Sequence, residues 1–436
     1  MRISVIGCGH LGAPHAASLA EMGHDVIGVD LDPSKVAMLQ AGHAWFYEAD
    51  LDDLLAKHTA SGRLRFTTDI AEAGRFADVH FLGVGTPIDP ATGGYNMSQV
   101  IGSVEALAPH LDRPCLIVGK STVTVGTVVR LAGMAARLAP SGQGAEVAWN
   151  PEFLREGHAV EDSLRPDRIV LGVTSPEAEK TLREVYAPIL GSAHLLVTDP
   201  ATSEVIKGAG NSFLALKVSW ANALADMCAI AKADVNVVVD SLGMDPRIGR
   251  AMLTPGLGYG GGCLPKDVRA FATRAREIGA HHAADLLHGA DQVNVTRPRV
   301  AMELIREAVG DVRGLRIAVW GVSFKPGTDD VRDSPALALA GLLADAGADL
   351  ALYDPQVRQL AGDWNLADSA EDAAQDADLV VLATDWPQFA ALEPGNIGSK
   401  RRVLVDVRNQ VDGEHWQSAG WTVYQMGRPT RLAVAE

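Results

Sequence analysis

A cysteine in a glycine-rich run, GLGYGGGCLPKD from Gly256 to Asp267, has the strongest chemical signature in the chain. Gly258, Gly260, Gly261 and Gly262 precede the thiol of Cys263, and such a run lets backbone approach a ligand closely. Lys266 and Asp267 follow within one helical turn. If Leu264 to Arg274 forms a helix, Cys263 sits at its N-terminus, where the helix dipole and a neighbouring ammonium both favour thiolate. A buried thiol can also be a mere small hydrophobe. Glycines on one side and LPKD on the other make a poor core position, so Cys263 is read as a candidate nucleophile.

The chain opens with a second chemical signature. Gly7, Gly9 and Gly12 spell GxGxxG between the strand-like MRISVI and an apolar-periodic helix reaching about Met22. The first glycine permits a tight turn, the second close approach to a pyrophosphate, the third packing of helix on strand. Asp30 ends the next strand, HDVIGVD, where a carboxylate accepts from ribose hydroxyls and repels a 2′-phosphate. The cofactor expected is therefore NAD; Lys35 close by tempers the preference over NADP. A nicotinamide site beside a reactive thiol suggests oxidation through a thioester.

Further residues form less specific patterns. Lys207 and Asn211, four apart on a predicted long helix, share a face; they can hold a developing oxyanion or lie at the surface. Glu152 and Glu156 in NPEFLREG are four apart, and either can activate water or simply form an exposed helical acid pair. STVTVGT (121–127) and VGTPID (84–89) follow strand ends, where a doubly wound sheet places its ligand crevice. Lys325, Arg332 and Arg408 follow strands of the C-terminal half, positions that suit a diphosphate or are solvated loop charges.

The elements that must position these groups are readable in outline. Strands are expected at 3–6, 24–30, 79–84, 115–119, 146–149 and 168–172 with helices between most of them, giving an α/β fold with a doubly wound parallel sheet. From Ala201 the pattern turns helical, with one long helix through about residue 233 and further helix from Phe271 to Arg306. A second α/β pattern starts at Leu315 and has no second GxGxxG. The expected architecture is two Rossmann-like doubly wound domains joined by a central helical region, divided at 1–198, 199–300 and 301–436. Wide apolar faces on long helices need a partner, so a homodimer is expected.

Composition narrows the partners. A net charge of −16 argues against nucleic acid and anionic membranes. Cys8, Cys115, Cys228 and Cys263 are scattered without a CxxC pair, which suggests a reduced, cytoplasmic chain with no metal site. No secretory signal pattern and no run of 18 uninterrupted apolar residues is present in the sequence.

Taken in order, GCGHLG, VGTP, STVTVGT, NPEFLREG, the Lys207/Asn211 helix, DPRIG, GYGGGCLPKD, FKPGTDD and ADLVVLATDW resemble the UDP-glucose/GDP-mannose dehydrogenase family over nearly the whole chain. The resemblance implies four-electron oxidation of a nucleotide sugar's C6 alcohol to a carboxylate with two NAD. It implies Cys263 as nucleophile, Lys207 and Asn211 as oxyanion stabilisers, and Asp267 as assistant to the base and an ordered water. Glu152 is implied as base for thioester hydrolysis, with Thr122 nearby. Leu11, Lys35, Thr86, Thr122, Glu156, Lys266 and Arg332 fall on NAD positions. Arg247, Tyr259, Gly260, Lys325, Arg408 and the Phe153–Leu154 backbone fall on sugar-nucleotide positions, with Arg247 reaching across a dimer.

The chain departs from the family pattern at Thr124 for proline, Gly262 for serine and Leu264 for phenylalanine. CLPKDVRAF resembles the GDP-mannose branch; DPRIG and RPDRIVLG resemble the UDP-glucose branch. UDP-glucose is the first expectation for the substrate and GDP-mannose the second. A two-electron 3-hydroxyacid-type dehydrogenase would need neither the cysteine nor the C-terminal domain. A silent sensor on the same fold would be expected to lack Cys263 or Lys207.

Overall fold

Short apolar runs become strands, and the computed structural model, which describes residues 1–433, places them in two sheets. The first contains β1 (Arg2–Ile6), β2 (Asp25–Val29), β3 (Leu64–Thr67), β4 (Val79–Leu82), β5 (Cys115–Gly119), β6 (Ala145–Trp149), β7 (Arg168–Gly172) and β8 (His194–Thr198). Their spatial order is β3-β2-β1-β4-β5-β6-β7-β8. The first six pair in parallel, so the chain reverses direction of winding between β1 and β4. That switch point is where an open α/β sheet binds its ligand. β6 meets β7 antiparallel through Trp149 and Gly172, so the expected all-parallel sheet ends in a reversed pair.

The second sheet holds β9 (Arg316–Trp320), β10 (Asp349–Tyr353), β11 (Leu379–Leu382), β12 (Val403–Asp406) and β13 (Thr422–Gln425) in the order β10-β9-β11-β12-β13, all parallel. Central strands of both sheets are apolar on both faces and buried, as parallel strands covered by helices must be. Neither β3, β8 nor β13 stands out in sequence; each is an edge or near-edge strand with mixed burial.

By packing, the chain forms two compact units: Met1–Gly210 with Thr273–Ile278, and Asn211–Ala272 with Gly279–Glu436. A central helix, Pro200–Ala231, runs continuously across the boundary in sequence. It stops at Lys232, whose φ of 58° breaks the repeat, and Asp234 caps a new helix over Val235–Gly243. The expected helical stretch after Phe271 is likewise divided, into Leu264–Glu277 and His281–Val309, by Gly279 at φ 84°. The central helix alone is long and apolar enough to cross a membrane among the described residues. Its buried Ser203, Glu204, Lys207, Ser219 and Asn222 instead mark it as a helix packed in protein.

Candidate active site

In the first unit the fingerprint glycines divide by what surrounds them. Gly7 has φ +88°, and a Cβ there would lie 2.7 Å from Val84 Cγ1; a Cβ on Gly12 would lie 1.7 Å from the Gly7 carbonyl oxygen. Both are required by the protein's own packing. Gly9 meets no protein atom within 4 Å, so its missing side chain leaves open space at the loop. An open face beside a helix N-terminus fits a pyrophosphate. The helix there, Gly12–Glu21, starts after Leu11 with no side-chain cap and no acid in its first turn. Asp30 accepts from the Cys8 N–H at 3.0 Å and the Asp32 N–H at 3.1 Å, which fixes its carboxylate beside the loop. Lys35 lies over the Trp45 ring at 4.4 Å, and Thr86 is buried at the start of the loop after β4.

Thr122 lies in the loop between β5 and the helix Thr127–Leu138. That helix begins at Gly126, with φ +96° and no side chain to cap it. Glu204 of the central helix supplies the cap instead, accepting from Gly126 N–H at 2.7 Å and Val128 N–H at 2.8 Å. Burial pushes its carboxyl above the ordinary range, and the backbone donors pull the other way. Arg274 donates to the Val125 carbonyl at 3.0 Å. Thr124, where the family usually has proline, is tied through its carbonyl and hydroxyl to the Thr127 hydroxyl, a local turn that replaces ring rigidity.

NPEFLREG is irregular rather than helical, so the expected helical acid pair does not form. Glu152 points inward and pairs with Lys207 at 2.8 Å, with side chains 10% and 6% exposed. Its other oxygen accepts from the Leu154 N–H at 2.6 Å, closing a tight turn at Phe153. Arg168 stacks on the Phe153 ring at 3.9 Å. Glu156 is half-buried further along the same loop. Thus Glu152 and Lys207 meet, while Glu156 takes a separate place.

In the second unit Cys263 is exposed and precedes the helix Leu264–Glu277, as expected; its carbonyl accepts from the Asp267 N–H at 2.8 Å. Asp267 is fully buried. It accepts from Asn211 Nδ2 at 2.6 Å and pairs with Lys266 Nζ at 2.5 Å. Asn211 thus belongs to the thiol's helix by a direct bond.

The glycines before the thiol are required by the protein's own packing. A Cβ on Gly260 would lie 2.3 Å from the Asp333 carbonyl oxygen, on Gly261 2.7 Å from the Phe324 ring, and on Gly262 2.6 Å from the Arg332 guanidinium. They admit the 324–335 loop, so serine at Gly262 would crowd Arg332, which is bonded to Asp330. Lys325 lies in that same loop, 5.8 Å from the Phe324 ring.

Tyr259 is anchored through both backbone groups to Asn294, at 2.8 and 2.9 Å, and burial pushes its phenol up to about 12. Arg408 is held by carbonyl groups, with Nη1 donating to Gly258 and Nε to Ala383, each at 2.8 Å. Asp406 shapes the turn beneath it, accepting from the N–H groups of Arg408, Gln410 and Val411. Arg247 stands apart, exposed and paired with Asp245 two residues away. No group of three metal-ligating side chains occurs among the described residues.

Matches to known proteins fall in three consecutive segments. Residues 1–190 match the NAD binding domain of the UDP-glucose/GDP-mannose dehydrogenase family, 201–296 its central domain and 318–413 its UDP binding domain. The chain belongs to this family. A UDP-glucose 6-dehydrogenase of Rhizobium meliloti is 40% identical over 98% of the chain and 100% of its own length. One from Haloferax volcanii is 42% identical over 94% and 97%. A UDP-glucose dehydrogenase structure from Pyrobaculum islandicum superposes with a TM-score of 0.90 at 35% identity, covering 99% and 98% of the two chains.

Several residues that the sequence alone did not single out support the candidate side chains. Glu204 caps the Thr122 loop, Asn294 anchors Tyr259 and Asp406 shapes the Arg408 turn. Lys120, at the end of β5, is buried beside Asn150. Its only sequence signal is a charge between the apolar run CLIVG and the hydroxyls of STVT.

Proposed function

We propose that this chain is an NAD-dependent UDP-glucose 6-dehydrogenase, converting the C6 alcohol of UDP-glucose to the carboxylate of UDP-glucuronate. The observation that carries this reading is the exposed Cys263 at a helix N-terminus with the Asn211–Asp267–Lys266 chain behind it in the second unit, and a buried Glu152–Lys207 pair supports it in the first. The full-length relatives of that name support UDP-glucose over GDP-mannose. The three-part division at 1–198, 199–300 and 301–436 assigns NAD to the first part, catalysis and dimerisation to the second, and the UDP-sugar to the third.

NAD, bound twice in succession, would supply the acceptor for two hydrides from C6. The fingerprint loop with Asp30, Leu11, Lys35, Thr86, Glu156, Lys266 and Arg332 would hold it. Once C6 is an aldehyde, the Cys263 sulfur adds to it and forms a thiohemiacetal, so the aldehyde does not leave. Lys207 and Asn211 stabilise the oxygen as it becomes anionic. Oxidation of that adduct leaves C6 as a thioester on sulfur. Glu152, with Thr122 and Asp267 ordering the water, takes a proton from the water that attacks C6; the C–S bond breaks, and the thiol and the carboxylate result.

Tyr259, Gly260, Lys325, Arg408 and the Phe153–Leu154 backbone bind the sugar nucleotide. A second copy of the chain completes the assembly. Phe213, Trp220 and Met227 recur every seven residues on the central helix, each more than half exposed, and offer it an apolar face. Arg247, exposed on the same unit, reaches the partner's sugar nucleotide.

The test is NADH formation with UDP-glucose, GDP-mannose and UDP-N-acetyl sugars offered separately. Turnover with UDP-glucose and little with the others is expected. Preference for GDP-mannose would move the enzyme to the other branch, and no turnover with any would remove the activity.

A further inference from the structure

Lys120 is buried at the C-terminal end of β5, in the first unit, and no part of the mechanism above uses it. Its Nζ donates to Asn150 Oδ1 at 3.0 Å and lies 3.5 Å from the Tyr186 hydroxyl. The Phe81 and Tyr186 rings flank it at 6.0 and 5.9 Å. No carboxylate lies within ion-pair distance of it among the described residues. A buried ammonium with one good acceptor and no ion-pair partner in contact is costly, and a neutral aliphatic chain would fill the same space. Its retention calls for a use.

The use is visible in what Asn150 does. Asn150 directly follows β6, two residues before Glu152. Its N–H donates to the Gly119 carbonyl and its Nδ2 to the Val170 carbonyl, each at 2.8 Å. Its Oδ1 accepts from both Lys120 and, at 2.5 Å, the Tyr186 hydroxyl. One carboxamide therefore ties together β5, β7 and the helix Pro176–Tyr186 at the point where the chain turns toward the Glu152–Lys207 pair.

We propose that Lys120 is a positioning residue: while protonated, its ammonium holds Asn150 and so fixes the strand-to-loop junction that aims Glu152 at Lys207. The proposal rests on the hydrolytic role given to Glu152 above. An ammonium only donates, whereas a neutral amine also accepts. On losing its proton Lys120 becomes an acceptor for the Tyr186 hydroxyl, and Asn150 Oδ1 gives up a charge-assisted bond and its tyrosine donor together. Three charged or titratable groups besides Tyr186 bear on the switch. Glu152 favours the protonated state, while Lys207 opposes it; the buried His15 is itself held neutral by burial and by Lys120. Burial, the largest influence, pulls the Lys120 ammonium down to about 8, so the switch falls near working pH.

The experiment is the pH profile of kcat between pH 6 and 10 for the wild type, Lys120→Arg, Lys120→Gln and Lys120→Met, with UDP-glucose and NAD saturating. The wild type should lose about tenfold in kcat through a midpoint near pH 8. The arginine variant should show no step there. The glutamine and methionine variants should sit at the wild type's alkaline level throughout, with KM values within about threefold. A folded arginine variant that keeps the midpoint, or a methionine variant with wild-type kcat at pH 7, overturns the proposal. Titration of ¹³Cε-labelled lysines reads the charge without turnover and serves if the neutral variants do not fold. One lysine with a midpoint near pH 8, absent from Lys120→Arg, is expected; if every lysine titrates normally, the switch is wrong. If that signal is found but no nucleotide sugar yields NADH, the activity reading has failed and the coupling to hydrolysis falls with it, while the Lys120–Asn150 switch stands.

Discussion

Removing the carboxylate of Glu204 should loosen the Thr122 loop without touching any group proposed to react. The helix Thr127–Leu138 starts at a glycine that cannot cap it, and Glu204 satisfies two of its first N–H groups at 2.7 and 2.8 Å in a buried setting. Bonds to a charged acceptor contribute roughly 1.5–3 kcal/mol each. Part of that is offset by the cost of burying the carboxylate, which its raised pKa reports. Glu204→Ala should therefore lose about 3 kcal/mol, and Glu204→Gln, which keeps one oxygen, about half as much. The sign with pH follows from the same shift. A carboxyl whose pKa is raised on folding contributes most below its unfolded value of about 4.5 and loses that contribution as pH rises through the folded one. The wild type should therefore gain stability relative to Glu204→Gln as pH falls through that window. Urea unfolding followed by tryptophan fluorescence measures both effects, since Trp149 donates to the Ser121 carbonyl within this loop. An alanine variant within about 0.5 kcal/mol of wild type, well below one lost cap, would show that Glu204 does not hold this helix end.

Two further variants probe the substrate pocket and the assembly. Arg408→Lys loses the forked donation to the Gly258 and Ala383 carbonyls, so KM for the nucleotide sugar should rise about tenfold while KM for NAD holds, measured by initial rates. Phe213→Asp with Trp220→Asp places two charges on the exposed face of the central helix and should reduce the sedimenting species to one chain; an unchanged mass would place the interface elsewhere.

Much of the fold was legible because buried parallel strands read as apolar runs and helices as 3.6-residue periods. What escaped was set by partners distant in sequence. β3 and β8 have mixed burial on their sheet's margins, and nothing local in LRFT or HLLVT requires pairing. The acids of NPEFLREG looked like a helical pair by spacing; the Glu152 side chain bends back to its own loop N–H and inward to Lys207. The glycines before Cys263 were legible as a need for space, though what fills that space is the 324–335 loop. Cys263 was visible as a candidate because its setting depends on local helix geometry, whereas the Lys207/Asn211 spacing fixed only a shared helix face and left its use open. Glu204, Asp406 and Lys120 were not, because a supporting acid or ammonium gains its meaning only from the backbone or amide it meets in the fold.

One cysteine is proposed to carry the aldehyde between two oxidations. This is tested most directly by counting NADH formed per UDP-glucose consumed, in wild type and in Cys263→Ser. Two NADH per sugar in the wild type, and no sustained release of UDP-glucuronate from the serine variant, are predicted. One NADH per sugar, or unchanged UDP-glucuronate release without the thiol, would contradict it.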